Sequence, residues 1–189
     1  MAETYRVLLY SHDSQGLGHV RRNLALAHHI AARAGTGGLR GLVVSGLAPS
    51  PLFTLPTGFD WLALPGVEKR NGVYVPRRLP GTLDETVALR STVLGAALEG
   101  FAPDLVIVDR HPLGIRRELE APLRALRRSH PEARIVLGLR DKARGPEAFT
   151  GTDASPEDIA SKIFNRTRPN LTVEARAEEF EGRRLVTIR

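Results

Sequence analysis

Residues that could do chemistry gather after a short apolar run near the N-terminus, in "SHDSQGLGHVRR" (11–22), which holds Gly16, Gly18, His19, Arg21 and Arg22. A strand, a glycine-rich turn and a helix start, in that order, present backbone N–H groups to an anion. His19 opens the helix. It reads either as a polar cap or as a general base, because imidazole titrates close to neutral pH. Asp109 closes the apolar run "PDLVIVDR" (103–110). It reads either as a carboxylate capping the "HPLG" turn or as one that orients His19 and stabilises its imidazolium. Spacing leaves both pairs of readings open. The two arginines are the oddity: a helix N-terminus carries partial positive charge, so Arg21 and Arg22 sit where cations are least favoured. Something negative is expected there.

Other chemistries fit less well. The loop has G-x-G without the third glycine of a dinucleotide fingerprint, and no Gly-Lys-Ser/Thr follows it. The second strand-like run ends "VVSG", without the acidic residue that would hold a ribose. Both observations argue against a redox cofactor and against ATP held by a P-loop. His12, Asp13, His28, His29 and His111 could suggest a metal. However, His28 and His29 are adjacent and face different sides of a helix, and no two histidines stand four apart, so no metal site is expected. Without a G-x-S-x-G elbow, a hydrolase using His19 and Asp109 is the weaker alternative.

The elements that must position these residues alternate. "YRVLLYS" (5–11) is a near-continuous apolar strand of the kind found in covered parallel sheets. A helix is expected over 19–34, with Val20, Leu24, Ala27 and Ala31 on one face and "GTGG" ending it. Strands are expected at 39–46, 59–65, 103–110 and 133–141, and a loop or short hairpin at 70–81. "TLDE" (82–85) matches a capping box that opens a helix running to about residue 100. A further helix, interrupted by Pro122, precedes the strand at 133–141. This rhythm predicts an α/β protein with a Rossmann-like, doubly wound, mostly parallel sheet. The strand ends would then bring residues 11–19, 45–47, 109–114 and 139–141 to one edge. The tail holds one capped helix, "SPEDIASKIFNRT" (155–167), begun by Ser155 and Pro156. A polar stretch and the strand-like "RRLVTIR" complete it.

With 42% apolar and 25% charged residues the chain reads as an ordinary globular protein. No apolar run approaches the length needed to span a bilayer, and no secretory signal precedes the first strand. The absence of cysteine fits a reducing compartment, so a cytoplasmic location is expected. The net charge of +6 raises nucleic acid as a partner. Scattered arginines and only ten aromatic residues (three tyrosines, six phenylalanines, one tryptophan) argue instead for phosphate or anionic lipid.

The segments "GLGHVRRNLALAHHI", "LPTGFDWLALPGVEKRNGVYVPRRL" (55–79), "PDLVIVDRHPLGIRREL" (103–119) and "VLGLRD" (136–141) resemble, in that order, the N-terminal acceptor domain of GT-B glycosyltransferases. The match is to predicted bacterial members related to family 28, and it spans about residues 5–146. The resemblance implies an inverting transferase in which a base deprotonates an acceptor hydroxyl that attacks a nucleotide sugar. His19 matches the base and Asp109 its partner. Gly16 and Gly18 would leave room for a donor diphosphate or an acceptor phosphate. Arg21, Arg22, Arg110 and Arg140 would add positive charge. The implied partners are a nucleotide sugar, which is the donor substrate rather than a cofactor, and a glycan or lipid-linked acceptor, with peripheral membrane contact at its inner face. The apolar loop "GLAPSPLFTLP" (46–56) reads as a packed loop or as a hold for an aglycone or lipid.

The chain also departs from that family. A GT-B enzyme holds its donor mainly on a second doubly wound domain, and about 48 residues follow Asp141 here. The division expected is a Rossmann-like domain over 1–146 and an extension over 147–189. Three readings follow: an acceptor half that needs a donor-domain partner chain, a shortened descendant, or a non-enzymatic phosphate- or glycan-binding module, either monomeric or a homodimer.

Overall fold

The computed structural model describes residues 4–11, 17–34, 38–109, 111–138, 175–180 and 183–188. Gly16, Arg110, Arg140, the segment 139–141 and the expected helix at 155–167 lie outside the described residues, as do His12 and Asp13.

Apolar runs form the central strands: β1 (Tyr5–Tyr10), β2 (Leu39–Ser45), β3 (Phe59–Ala63), β6 (Leu105–Asp109) and β7 (Arg134–Gly138). These five are parallel, in the order β3-β2-β1-β6-β7. The fold is therefore α/β with a mostly parallel sheet, compatible with a Rossmann-like architecture. After β1 the chain builds outward through β2 and β3, then returns to lay β6 on the other side of β1. In open α/β sheets such a reversal is where ligands are held, in the crevice at the carboxyl ends of the two strands, here β1 and β6.

Side chains alternate across the sheet. Val7, Leu9, Val43, Ile107 and Val136 pack with Ala27 of α1 (Gly18–Ala34). Leu8, Tyr10, Val44, Val106, Val108, Ile135 and Leu137 face the other way. They pack with Leu94 and Leu98 of α2 (Leu83–Phe101) and with Leu123 and Leu126 of α3 (Glu120–Ser129). Both faces of these strands are covered, which is why they read as unbroken apolar runs rather than alternating ones. Among the described residues no helix is long and apolar enough to cross a membrane.

Three elements differ from the sequence reading. Pro122 does not interrupt a helix: it is the third residue of α3, inside the first turn, where a missing N–H costs no intrahelical bond. The segment at 70–81 belongs to a hairpin that starts earlier, with β4 (Val67–Arg70) and β5 (Val73–Pro76) paired antiparallel. Asn71 and Gly72 both take positive φ between them, the geometry that suits a two-residue hairpin turn. The polar stretch near the C-terminus is also a strand, β8 (Ala175–Phe180). It pairs with β9 (Arg183–Ile188), and β9 pairs antiparallel with β7. The tail thus continues the sheet to seven strands. The capping box is present as expected: Glu85 N–H donates to the Thr82 hydroxyl and the Glu85 carboxylate accepts from Thr82 N–H.

Candidate active site at the β1–β6 crevice

α1 is buried along His19, Val20, Asn23, Leu24 and Ala27. His19, Asn23 and Ala27 stand four apart, so they share one row, and the histidine is the outermost member of the stripe that packs on the sheet. On β6, Ile107 faces α1 while Val106 and Val108 face away, so Asp109 returns to the α1 side. The two periodicities converge. His19 Nδ1 lies 2.5 Å from Asp109 Oδ2, with the side chains 10% and 2% exposed. Arg22, one turn after His19, donates through its guanidinium to the other carboxylate oxygen, Oδ1. The carboxylate therefore bridges an imidazole and a guanidinium. The backbone N–H of His111 takes the Asp109 carbonyl oxygen, at 2.8 Å. The turn after β6 is thus satisfied by main chain, and the Asp109 side chain is directed at α1.

Asn23 and Ser11 brace this corner. Both are fully buried, and Asn23 Nδ2 donates to Ser11 Oγ at 2.8 Å. Ser11 N–H extends the ladder to the Val44 carbonyl. Tyr10 pairs with Val108, so one step further Ser11 stands beside Asp109 across the crevice. Gly138 is paired with Asp109 on β7, and a Cβ there would lie 3.9 Å from Oδ1.

The residues expected at the site divide. His19 and Asp109 are brought together. Arg22 is there too, but its charge is turned to a protein carboxylate, which supplies the negative partner that its place at a helix start had called for. Arg21 is exposed on the first turn of α1. Gly18 also faces outward: a Cβ there would meet nothing within 4 Å among the described residues. No crowding by the described residues demands glycine at that position. Among the described residues no cluster of His, Cys, Asp or Glu is grouped as for a metal ion.

Behind the crevice lies a second polar group that sequence reasoning missed. Tyr10 Oη donates to Glu118 Oε1, and Arg90 meets the same carboxylate twice, Nε to Oε2 at 2.5 Å and Nη2 to Oε1 at 2.7 Å. Arg90 Nη1 donates to the Pro65 carbonyl at 2.6 Å. All three residues are at most 1% exposed. Burial, with the Glu118 charge alongside, pushes the Tyr10 hydroxyl well above its ordinary pKa. Gly114, at φ 69°, lies over this cluster, where a Cβ would come within 2.8 Å of Tyr10 Oη. The cluster therefore ties down the turn that follows Asp109.

The apolar loop between β2 and β3 is largely packed. Phe53 stacks on Trp61, with ring centroids 5.9 Å apart, and Trp61 Nε1 donates to the Leu47 carbonyl. His28 Nε2 donates to the Thr54 carbonyl at 2.9 Å. Arg77 reaches from the end of the hairpin to the carbonyls of Gly46 and Val67. Leu52, at 81% exposure, is the part left outside.

Comparison with protein-family models, with curated proteins and with solved structures gave no match.

Proposed function

We propose that this chain is the acceptor-side half of an inverting, nucleotide-sugar-dependent glycosyltransferase of GT-B type. In this reading it is a doubly wound domain that works with a donor-binding domain or partner chain. The supporting observation is the 2.5 Å contact between His19 Nδ1 and Asp109 Oδ2 at the carboxyl edge of a parallel sheet, beside the strand-order reversal. With Nδ1–H given to the carboxylate, Nε2 is the nitrogen that takes the acceptor's hydroxyl proton. The freed electron pair on the acceptor oxygen forms a bond to the anomeric carbon. The bond from that carbon to the donor phosphate oxygen breaks, and the nucleoside diphosphate leaves with its electrons. Attack opposite the leaving group inverts the configuration. Asp109 stabilises the imidazolium that results. Arg21, exposed on the first turn of α1, and the partial positive charge of a helix N-terminus favour an anionic group there. The reading requires no cofactor, the nucleotide sugar being the donor substrate, and it carries a cytoplasmic location as an expectation.

The test is isothermal titration of the full chain with UDP-sugars, dTDP-sugars and phosphorylated glycans, followed by an assay for nucleoside diphosphate release. The expected result is binding of phosphorylated glycans by the wild type, with nucleoside diphosphate released once a donor-binding partner chain is supplied and that release falling by about 10²-fold or more in His19→Ala and Asp109→Asn. A folded chain that binds none of these ligands overturns the proposal. Binding with no release, unchanged in His19→Ala, replaces it with a non-enzymatic phosphate- or glycan-binding module.

A further inference from the structure

Glu118 takes no part in the proposed chemistry, yet its fully buried carboxylate gathers four donors. Tyr10 Oη and Arg90 Nη2 reach Oε1, Arg90 Nε reaches Oε2, and the Ile115 N–H lies 3.4 Å from Oε1. They come from three places: the last residue of β1, the middle of α2, and the turn that follows β6. Arg90 adds another, because its Nη1 donates to the carbonyl of Pro65, two residues beyond β3. One carboxylate therefore ties together the carboxyl end of β1 and the segments that leave β3 and β6, on the edge that holds His19 and Asp109.

The turn after β6 needs such a tie. Gly114, Arg116 and Arg117 have φ of 69°, 48° and 67°, so most of the run 114–117 is left-handed. L-residues rarely keep that conformation unless their surroundings enforce it. The arginine side chains do not enforce it. Both are more than half exposed, and their pairs with Asp84 and Glu120 are surface ion pairs of the kind that contribute little. Buried Ile115 and Leu119 anchor the turn through apolar contact, which carries no direction. The carboxylate supplies direction, through charge-assisted hydrogen bonds in a dry interior. Main chain carries the bonding from there back to the site. Glu118 N–H donates to the Ile115 carbonyl, Leu119 N–H to that of Leu113, Gly114 N–H to that of His111, and His111 N–H to that of Asp109, at 2.8–3.0 Å.

We infer that Glu118 is a positioning residue: its carboxylate locks the turn after β6 onto the end of β1 and so keeps the Asp109 side chain directed at α1. This rests on the reading of Asp109 as the partner of His19, but its test requires no turnover.

The experiment compares the full-length chain with the triple variant Tyr10→Phe, Arg90→Met, Glu118→Leu, which removes the polar partners together so that no charge is left buried alone. Urea unfolding confirms a cooperative fold. Amide hydrogen exchange is followed at Gly114, Glu118 and Leu119 in the turn and at Val106 and Val108 in β6. The His19 ring and Asp109 carboxyl resonances are recorded at one fixed pH. In the variant, the turn amides are expected to exchange about tenfold faster or more relative to those of β6, with both site resonances displaced. A turn that exchanges at the wild-type rate overturns the inference. So does a turn that speeds up only as much as β6, because a residue that merely stabilises the fold acts on both alike. A loosened turn with unmoved site resonances overturns it as well. If the triple variant does not fold, Tyr10→Phe alone leaves the ion pair in place and is read by the same signals with the same outcomes. A wild-type chain that supports no transfer removes the proposed function and leaves this lock standing, whereas a turn that keeps its protection removes only the lock.

Discussion

Arg90 and Glu118 form a two-pronged ion pair in the interior, with the arginine 1% exposed and the glutamate side chain fully buried. Neither charge has water to return to. Removing one partner strands the other, which costs about 3–5 kcal/mol, whereas replacing both with apolar groups of similar volume is far milder. Arg90→Met and Glu118→Gln are each expected to lower the unfolding free energy by several kcal/mol in urea titrations. The double change Arg90→Met with Glu118→Leu is expected to recover much of that loss.

Tyr10 gives the same cluster a pH signature. Its hydroxyl is pushed well above the ordinary value of 10.0 by burial first and by the Glu118 charge second. The unfolded chain therefore releases this proton at a lower pH than the folded one. The corresponding stability is fully present below pH 10 and is lost as pH rises toward the folded value. Tyr10→Phe is expected to lower stability at neutral pH by about 1–3 kcal/mol through the lost hydrogen bond to a charged group. It should also flatten the alkaline fall, read as Tm against pH.

At the acid end the capping box of α2 leads to the opposite sign. Glu85 is held below its ordinary value of 4.5 by the Thr82 N–H first and the Thr82 hydroxyl second. Its contribution is present above the unfolded value and is lost as pH falls through the folded one. Glu85→Gln is expected to lower Tm at neutral pH and to reduce its drop below about pH 4.5. Thr82→Ala removes the cap itself and is expected to cost about 1 kcal/mol.

Gly114 is required by geometry twice over, at φ 69° and with a Cβ position 2.8 Å from Tyr10 Oη. Gly114→Ala is expected to destabilise by about 1–3 kcal/mol. Because the turn it closes follows Asp109, the His19 and Asp109 resonances are expected to shift in the same variant.

Much of the fold was legible because covered parallel strands must be apolar on both faces. "VLLY" and "LVIV" are such runs, and "TLDE" carries its helix start in four residues. β8 was not legible. "ARAEEF" has no apolar alternation, and its pairing with β9 depends on tertiary context rather than on local propensity. The Tyr10–Arg90–Glu118 cluster was hidden for a related reason. Its members lie on three separate elements, and arginine and glutamate are residue types that usually mark a surface. At the site, the meeting of His19 with Asp109 could be anticipated from strand end and helix start. Arg22 could be noticed only as a cation in a poor place. Its partner became visible once α1 lay on the sheet and the i, i+3 spacing put it beside the same carboxylate.

The strand order has a consequence for how the chain can be divided. Exposed Leu52 lies between β2 and β3, so a cut there separates β1 and β2 from everything that follows. In the sheet, however, β2 pairs with β3 and β1 pairs with β6. The first piece is a two-strand wedge with both long edges hydrogen-bonded into the second. Two fragments meeting at residue 52 are therefore interleaved rather than adjacent. Produced separately, each would expose open sheet edges that only the other fits, and mixing them should restore the crevice with His19 on one polypeptide and Asp109 on the other.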